Sequence, residues 1–385
     1  MQLQTNDRWP SWHFAWSKLN GQGRVPKVLI VLTLLVQLQF LPSSPALNSK
    51  APFKVGFIMV GPISDCGWNE AHNQGRIFLQ TTLGKQVETS EAENVPESAE
   101  AERVMEKMVS RGNKLIFATS YGYMEPVMRV AARHPDVIFM QVNRLGNAKN
   151  VGTYAASVHE AMFITGVVAG RVTKTNKLGF VAGQPIPQVL QEINAYALGA
   201  RSVNPKVRVD VIWINSWYDP PAESEAARAL MDRGNDVLAT INSYGPVLET
   251  AERSSIFSVG ANGDQHKLLP KSWLTGVLWN WGPLYTKVAE SVENGTWRSS
   301  SDFYGMKDDC IKLAAFGNSV PKKVQDEALA LAEKIKQGKL EVFKGPLKDR
   351  DGVLRLSNGQ KADCTWLGNM NWLVSGVEGS LAKAK

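Results

Sequence analysis

The segment Lys54-Val-Gly-Phe-Ile-Met-Val-Gly61 is a short apolar run typical of a buried β-strand, and it leads into the turn Ser64-Asp-Cys-Gly-Trp-Asn69. A second run, Val207-Arg-Val-Asp-Val-Ile-Trp-Ile-Asn215, leads into Ser216-Trp-Tyr-Asp-Pro220 in the other half of the chain. A helix-like stretch follows each turn. Because ligands of open α/β sheets bind outside the carboxyl ends of the strands, the two aromatic turns predict two facing lobes that hold a flat ligand.

From residue 51 onward, short apolar runs alternate with amphipathic stretches, which is the pattern of a parallel sheet with crossover helices. The predicted strands are 54–61, 86–93, 114–120, 137–142, 150–156, 177–183, 207–215, 237–242, 257–261 and 273–279. The predicted helices include 68–82, 97–111, 123–134, 158–173, 187–203, 221–233 and 321–337. Right-handed crossovers would arrange each half as a doubly wound sheet.

The order of strand, aromatic turn and helix recurs in outline, beginning again at Lys177-Leu-Gly-Phe-Val-Ala-Gly183, but no close sequence repeat accompanies it. This architectural repeat excludes a solenoid and favours a two-lobed body. The length of 385 residues is in keeping with about two domains. Near the end of the chain, 342–356 is predicted to form a β-hairpin that turns at Asp351-Gly352.

The amino terminus has the layout of a secretory signal: basic residues, the apolar run 28–41, and small residues that predict cleavage near Ala46. The apolar run is short for a membrane span of about 20 residues. An uncleaved anchor is the alternative, favoured by the long segment before the run. No cysteine follows the run to accept a lipid. We therefore expect 1–46 to be a signal peptide or anchor, and the remainder to be a soluble periplasmic or extracellular protein.

The net charge of +7 does not indicate a nucleic-acid-binding protein. Residues 1–46 contain four basic side chains and one acidic one, a surplus of +3, which leaves +4 for the remainder. The Lys and Arg residues of that remainder are spread along the helix-like segments, as on an ordinary solvated surface.

The three cysteines, Cys66, Cys310 and Cys364, lack the Cys-x-x-Cys spacing of metal or redox sites. In an oxidising compartment Cys310 and Cys364 could form a disulfide, and the sequence leaves that pairing open. Cys66 has no histidine near it in sequence, which favours a packing role over a nucleophilic one. We expect neither a metal site nor a cofactor.

The usual catalytic motifs are absent from the sequence. No Gly-x-Gly-x-x-Gly follows the first strand, and no phosphate-binding loop, Gly-x-Ser-x-Gly elbow or His-Glu-x-x-His pair occurs. The acidic pair Asp308-Asp309 lies beside Cys310, away from an early strand end, and reads as a surface pair. We expect a binding protein and not an enzyme.

Several segments, in this order and spacing, resemble the basic membrane protein family. They are Val55-Gly-Phe-Ile-Met-Val-Gly61, Ser64-Asp-Cys-Gly-Trp-Asn69, Lys177-Leu-Gly-Phe-Val-Ala-Gly183, Ala195-Tyr-Ala-Leu-Gly-Ala200, Ser216-Trp-Tyr-Asp-Pro220 and Gly345-Pro-Leu-Lys-Asp-Arg-Asp-Gly352. The resemblance covers about 52–378 and implies a substrate-binding protein of an ABC importer. It also implies an α/β type I periplasmic-binding-protein fold, in which two Rossmann-like lobes with three hinge crossings close over a purine nucleoside or nucleobase.

The resemblance implies roles for three residues of the aromatic turns. Trp68 would stack on one face of the purine, Asn69 would hydrogen-bond the base edge, and Trp217 would cover the opposite face. Each stacked face contributes roughly 1 to 3 kcal/mol. A purely structural role is the alternative for either indole, but a loop position beside Gly or Pro at a strand end favours ligand contact.

Further strand ends offer Tyr121, Tyr244 and Asp264, for which cleft lining competes with ordinary loop or capping roles. Asp264 matches a family position where a carboxylate accepts hydrogen bonds from a ribose hydroxyl or an amino group. Nucleoside-binding relatives carry a sugar-holding lysine after the tenth strand, whereas this chain reads Trp279-Asn280-Trp281. We therefore expect Trp279 and Asn280 in the site and a free base such as adenine as the ligand.

The predicted hinges are 153–158, 260–265 and 300–312. They divide the chain into a first lobe of 52–155 plus 265–300 and a second lobe of 156–264 plus 310–378. The protein is expected to be a monomer that closes its lobes on the ligand and then docks on a membrane permease. It would catalyse no reaction. Two alternatives stay open: a nucleoside-processing enzyme, and a ligand-sensing module that is not tied to transport.

Overall fold

The computed structural model describes residues 51–144, 146, 148–242 and 245–381. The predicted signal segment, 1–46, lies outside these residues, and so does Tyr244. Within the described segments, no helix is both long and apolar enough to span a bilayer.

The first sheet has six strands, all parallel. In spatial order they are Ser301–Tyr304 (β11), Val151–Ala156 (β5), Ile138–Val142 (β4), Leu115–Ala118 (β3), Phe53–Ile58 (β1) and Val87–Ala92 (β2). The central strands β1 and β3 are apolar runs with side chains such as Val55, Phe57 and Phe117 fully buried. A parallel sheet buries both of its faces, which explains why these runs are continuously apolar.

The second sheet has seven strands. In spatial order they are Ile311–Leu313 (β12), Trp273–Trp279 (β10), Phe257–Gly260 (β9), Val237–Thr240 (β8), Lys177–Ala182 (β6), Arg208–Trp213 (β7) and Val377–Glu378 (β15). The pairing is parallel except for β12, which runs antiparallel to β10. The two parallel-strand lobes confirm the predicted fold class.

Helices connect the strands of each lobe and pack on its sheet. Those of the first lobe are α1 (Trp68–Leu83), α2 (Ala99–Ser110), α3 (Met124–Arg133) and α8 (Gly282–Glu293). Those of the second lobe are α4 (His159–Val172), α5 (Pro187–Val203), α6 (Pro220–Asp232), α7 (Pro246–Ser254), α9 (Lys322–Lys336) and α10 (Cys364–Gly368). Short 3₁₀ turns occur at Gly84–Gln86, Tyr121–Tyr123 and Met306–Asp308.

The chain passes between the two sheets three times. It leaves the first sheet between β5 and α4, returns between β10 and α8, and leaves again between β11 and β12. The first and third passages lie at or beside the predicted hinges 153–158 and 300–312.

The prediction of a hinge at 260–265, with 265–300 in the first lobe, is wrong for the strand β10. This strand pairs with β9 in the second sheet, and the return passage lies at Asn280-Trp281 instead. The physical reason is Trp273, which is 1% exposed and packs in a second-lobe cluster with Leu248, Leu269 and Ala314. Burying that indole holds the strand on the second lobe.

The predicted hairpin is present as Leu347–Lys348 (β13) and Leu354–Leu356 (β14), which pair antiparallel. Gly352, at the predicted turn, has a φ of 85°, a conformation that glycine adopts without steric cost. The thiols of Cys66, Cys310 and Cys364 are all free, so no disulfide joins Cys310 to Cys364 in this structure.

Candidate ligand-binding cleft

A cleft of about 820 Å³ opens at the carboxyl ends of the strands of both sheets. The first lobe lines it with Val60, Gly61, Pro62, Ser64, Asp65, Cys66, Trp68, Asn69, Asn94, Ser120, Tyr121 and Asn143. The second lobe lines it with Ile186, Gln188, Val189, Glu192, Ser216, Trp217, Tyr218, Ile241, Asn242, Asn262 and Trp279. This is the location that the strand-end argument predicts, and the volume falls in the range of small-molecule sites.

Trp68 is the first residue of α1 and is fixed on the first lobe by its ring nitrogen. The indole Nε1 donates a hydrogen bond of 2.7 Å to the carbonyl oxygen of Thr119, which follows β3. Its ring meets His72 edge-on, with centroids 4.5 Å apart. Trp68 is therefore anchored at one edge and presents the rest of its half-buried ring to the cleft.

The turn before Trp68 is held by carboxylate-to-backbone hydrogen bonds. Asp65 accepts from the backbone N–H groups of Gly67, Asn69 and Glu70 at 2.9 to 3.0 Å. Asn69 in turn donates to Asp65 and accepts from the N–H of Gly61. A Cβ at Gly61 would lie 2.7 Å from the Asn69 amide nitrogen, so a larger residue there would displace the Asn69 side chain. Asn69 lines the cleft but uses its side chain to brace the turn, and its bond to a base edge stays a prediction.

Trp217 lies on the opposite wall, in the turn between β7 and α6. Its ring packs over Gly183 at the end of β6, where a Cβ would approach the indole to 2.8 Å. Asp219 caps the following helix by accepting from the N–H of Ala222 at 3.0 Å, and Pro220 begins that helix with a pre-set φ. The glycine, the cap and the proline together fix where the indole stands.

Trp279 ends β10 and reaches the same cleft from the second lobe. Its Nε1 donates to the Asn262 side-chain oxygen at 2.6 Å, and Asn262 donates to the carbonyl of Ile241 at 2.7 Å. The Trp279 ring stacks on Trp281 with centroids 5.1 Å apart and meets Trp68 of the first lobe edge-on at 5.1 Å. The indole therefore closes one end of the cleft in a fixed orientation.

Tyr121 lines the cleft as predicted, with the guanidinium carbon of Arg144 5.4 Å from its ring centroid. Two predicted site residues do not line it. Asp264 accepts hydrogen bonds from the backbone and ring nitrogens of His266, at 3.1 and 2.8 Å. Asn280 stands at the return passage, where its amide donates to the carbonyl of Asp309 at 2.9 Å. Each side chain thus uses one of its polar atoms, Oδ1 of Asp264 and Nδ2 of Asn280, to hold a loop beside the cleft.

Glu192 is a cleft-lining residue that sequence reasoning missed. It lies on α5, is 2% exposed, and accepts a hydrogen bond of 2.8 Å at Oε1 from Gln188. Burial raises the pKa of its carboxyl to about 8, and the Gln188 bond offsets only part of that effect. The acid is therefore protonated at neutral pH. A glutamate in a helix pattern gives no signal of such burial.

Asn242 belongs to the strand end Asn242-Ser243-Tyr244, which the sequence indicates as a possible part of the cleft. It follows β8, is 4% exposed, and lines the cleft. Its amide nitrogen donates to Oε1 of the buried Glu223 at 3.2 Å, while its Oδ1 has no hydrogen-bond partner within the described parts of the chain. A buried acceptor without a partner is costly, so this oxygen is placed for a ligand.

The charge of the cleft limits what it can hold. Among the described lining residues, Asp65 and Glu192 are the only side chains with a carboxyl group, and none is Lys or Arg. Phosphate and carboxylate ligands need cationic or helix-terminal partners. The described lining offers no side-chain cation, and Asp65 already occupies N–H groups at the start of α1, so the cleft suits a neutral molecule. Over the same described residues, no group of three or more His, Cys, Asp or Glu side chains could hold a metal ion.

The two lobes also touch at the mouth of the cleft. The Gln265 side-chain amide of the second lobe donates to the backbone carbonyl of Cys66 on the first lobe at 3.3 Å. The edge contact of Trp68 with Trp279 is a second contact between the lobes. Cys66, Trp68 and Trp279 all line the cleft, so both contacts lie along its wall.

Comparison with known families and sequences gives consistent matches. The family described as ABC transporter substrate-binding protein PnrA-like, Bmp, matches residues 53–344. A purine-binding protein of Brucella abortus (strain 2308) is 41% identical over 336 residues, which are 87% of this chain and 96% of that protein. A Haloferax volcanii protein, named provisionally as the ABC transporter glucose-binding protein TsgA13, is 32% identical over 84% of this chain and 80% of its own length.

Among solved structures, an ABC transporter solute-binding protein from Conexibacter woesei matches with a TM-score of 0.61 and 24% identity. The match covers 75% of this chain and 98% of that one. At this identity the likeness carries the fold alone, and it agrees with the two lobes described above.

Proposed function

The chain belongs to the Bmp family of PnrA-like ABC transporter substrate-binding proteins, which confirms the resemblance to the basic membrane protein family, and from this premise we propose that its ligand is a purine base such as adenine. The family comprises substrate-binding proteins and not enzymes. The Brucella relative is named for purine binding, and its identity to this chain extends over nearly the whole of both proteins.

The observation that carries the proposal is the arrangement of Trp68, Trp217 and Trp279 around one cleft that lacks basic side chains among its described residues. Trp68 stands on one lobe and Trp217 on the other, so a planar ligand between them gains two faces of contact. Stacking at roughly 1 to 3 kcal/mol per face supplies much of the 8 kcal/mol that a micromolar affinity requires. A neutral heterocycle suits this lining better than any nucleotide.

A free base is preferred over a nucleoside because of Trp279. Its indole is fixed by Asn262 and by stacking on Trp281, so it does not swing aside for a bulky substituent. It offers one N–H donor, and Asn262 already accepts that donor. A ribose at this end of the cleft would meet an apolar ring without a free hydrogen-bonding group.

The proposed cycle is closure around the base without chemistry. Ligand contacts made by both lobes favour the closed arrangement over the open one, and the closed protein then docks on an ABC permease. The site works outside the cytoplasm as a monomer, following export by the amino-terminal signal. Contacts that exist only in the closed state supply the differential affinity that the cycle needs.

Isothermal titration of the purified mature protein with adenine, adenosine and glucose tests the proposal. We expect micromolar or tighter binding of adenine, with adenosine at least tenfold weaker. Tighter binding of adenosine would overturn the base preference while leaving the purine assignment intact.

Glucose is the second candidate ligand, because the Haloferax relative is named for it and because indole rings also pack against sugar faces. Heat with glucose and none with either purine would overturn the purine assignment. Chromatography of the adenine and adenosine mixtures after the titration separates binding from turnover, since an enzyme would leave products.

A further inference from the structure

We propose that Glu192 and Asn242 together read the hydrogen-bonding edge of the base, with Glu192 as donor and Asn242 as acceptor, and so select 6-aminopurines over 6-oxopurines. This inference rests on the proposed function, because it concerns the orientation of a purine in the same cleft. Both residues line the second-lobe wall, and both are more than nine-tenths buried.

The donor is the second oxygen of Glu192. Its Oε1 is occupied by the amide of Gln188 at 2.8 Å, and its Oε2 has no hydrogen-bond partner among the described residues. No described cation stands beside the carboxyl to keep it ionised. Burial raises its pKa to about 8, and the Gln188 hydrogen bond lowers the pKa by a smaller amount. A neutral carboxyl whose carbonyl oxygen is already engaged offers its O–H to the cleft.

The acceptor is Oδ1 of Asn242, and its orientation is set from behind. The amide nitrogen donates to Oε1 of Glu223, which is 2% exposed and also accepts from the N–H of Asp219 at 3.5 Å. Burial raises the pKa of the Glu223 carboxyl, but its Oε1 already accepts from a backbone N–H and so acts as an acceptor. Glu223 therefore fixes the Asn242 nitrogen on its own side and leaves Oδ1 for the cleft. Glu223 is thus a positioning residue for Asn242.

The two groups present a donor and an acceptor on one wall, and a 6-aminopurine carries the complement. A ring nitrogen of adenine accepts the Glu192 O–H, and the adjacent exocyclic amine donates to Asn242 Oδ1. Hypoxanthine in the same pose places its carbonyl oxygen against Asn242 Oδ1, so two acceptors face each other in a buried site. A buried acceptor without a hydrogen-bond donor costs far more free energy than an exposed one. This cost is the basis for selecting adenine over hypoxanthine.

The test is calorimetric titration of adenine and of hypoxanthine into the wild-type protein and four variants. Glu192→Gln keeps a donor and an acceptor in the same shape, whereas Glu192→Met removes both. Asn242→Leu removes the acceptor at similar volume. Glu160→Gln is the matched control, because Glu160 is a half-buried acid whose pKa is also raised by burial but which does not line the cleft. Thermal unfolding of each ligand-free variant checks that it is folded.

We expect the wild type to bind adenine at least tenfold more tightly than hypoxanthine. Glu192→Gln and Glu160→Gln should keep that ratio. Glu192→Met should weaken adenine binding at least tenfold, and Asn242→Leu should bring the adenine to hypoxanthine ratio close to one. An unchanged ratio in a folded Asn242→Leu variant, or equal wild-type affinities for the two bases, would overturn the inference while the purine assignment stands. Failure of the wild type to bind either base would overturn the proposed function itself.

Discussion

The two aromatic turns of the cleft are built in different ways. The turn at Trp68 is braced by Asp65 and Asn69, and its indole is tied to Thr119 and packed against His72. The turn at Trp217 relies on Gly183 beneath the ring and on local bonds of Ser216 to Tyr218, whose side chain is 75% exposed. Both indoles are half-buried and pack against the same core cluster, but the Trp68 ring is also tied to the backbone of its lobe by a hydrogen bond. We infer that Trp68 contributes more to stability than Trp217 does, and that both contribute to binding.

Trp68→Ala is expected to have the largest effect. It removes a stacking face, a buried hydrogen bond and the ring contacts with His72 and Trp279. The free energy of unfolding should fall by about 3 kcal/mol, and adenine binding should be lost to calorimetry. Chemical denaturation and titration measure the two effects, and an unchanged unfolding free energy would break the comparison between the turns.

Trp217→Ala should weaken adenine binding by about 10- to 100-fold, the loss of one stacked face. Its unfolding free energy should fall by less than that of Trp68→Ala, because the half-buried Trp217 ring packs on the core without the backbone hydrogen bond that Trp68 makes. Trp217→Phe is the control that keeps an aromatic face and should restore most of the affinity. A destabilisation as large as that of Trp68→Ala would show that the bond of Trp68 to Thr119 does not distinguish the two turns.

Trp279→Ala tests the other end of the cleft. Removing this indole opens space where a ribose would extend, so the affinity ratio of adenosine to adenine should rise about tenfold. Because Asn262 loses its donor at the same time, Trp279→Phe separates the lost hydrogen bond from the lost volume. If both variants keep the wild-type ratio, Trp279 does not set the preference for a free base.

The pH dependence of binding tests the state of Glu192. Burial raises the pKa of this acid to about 8, so its proton is present at pH 7 and is lost as pH rises through that value. Asp65 faces it across the cleft, and His159 on α4 stays neutral because burial lowers its pKa to about 4. On α10, burial raises the pKa of the Cys364 thiol, so that group is also neutral.

The affinity for adenine should therefore be constant from pH 6 to 7 and should fall severalfold by about pH 9. The Glu192→Gln variant carries no proton to lose and should bind equally across this range, which also controls for titration of the ligand. A wild-type profile that rises with pH would mean that Glu192 binds the ligand as a carboxylate.

The sequence predicts the elements of this fold well because its buried strands are apolar without interruption and its helices are amphipathic. It predicts no strand at β11 or β12, which are only four and three residues long. It also assigns β10 to the wrong lobe, because that choice depends on the packing of Trp273 with residues such as Leu248 and Ala314. The local pattern of apolar residues indicates whether a segment is a helix or a strand. It does not indicate which strand will pair with it.

The residues of the cleft also fall into two groups, those that the sequence indicates and those that it does not. Aromatic residues beside glycine or proline at strand ends, such as Trp68 and Trp217, are visible in the sequence. Glu192 is not, because its importance lies in its burial. The strand end at Asn242 is visible, but the missing partner of its Oδ1 is not. Asp264 and Asn280 fit a pattern of strand ends, yet neither lines the cleft, and each holds a neighbouring loop through one polar atom.

A crystal structure of the protein with adenine is the most direct test of this account. We predict one base between the rings of Trp68 and Trp217, bounded by Trp279, with its exocyclic amine within hydrogen-bond distance of Asn242 Oδ1. A base bound elsewhere, or a closed cleft that excludes adenine at saturating concentration, would contradict the account.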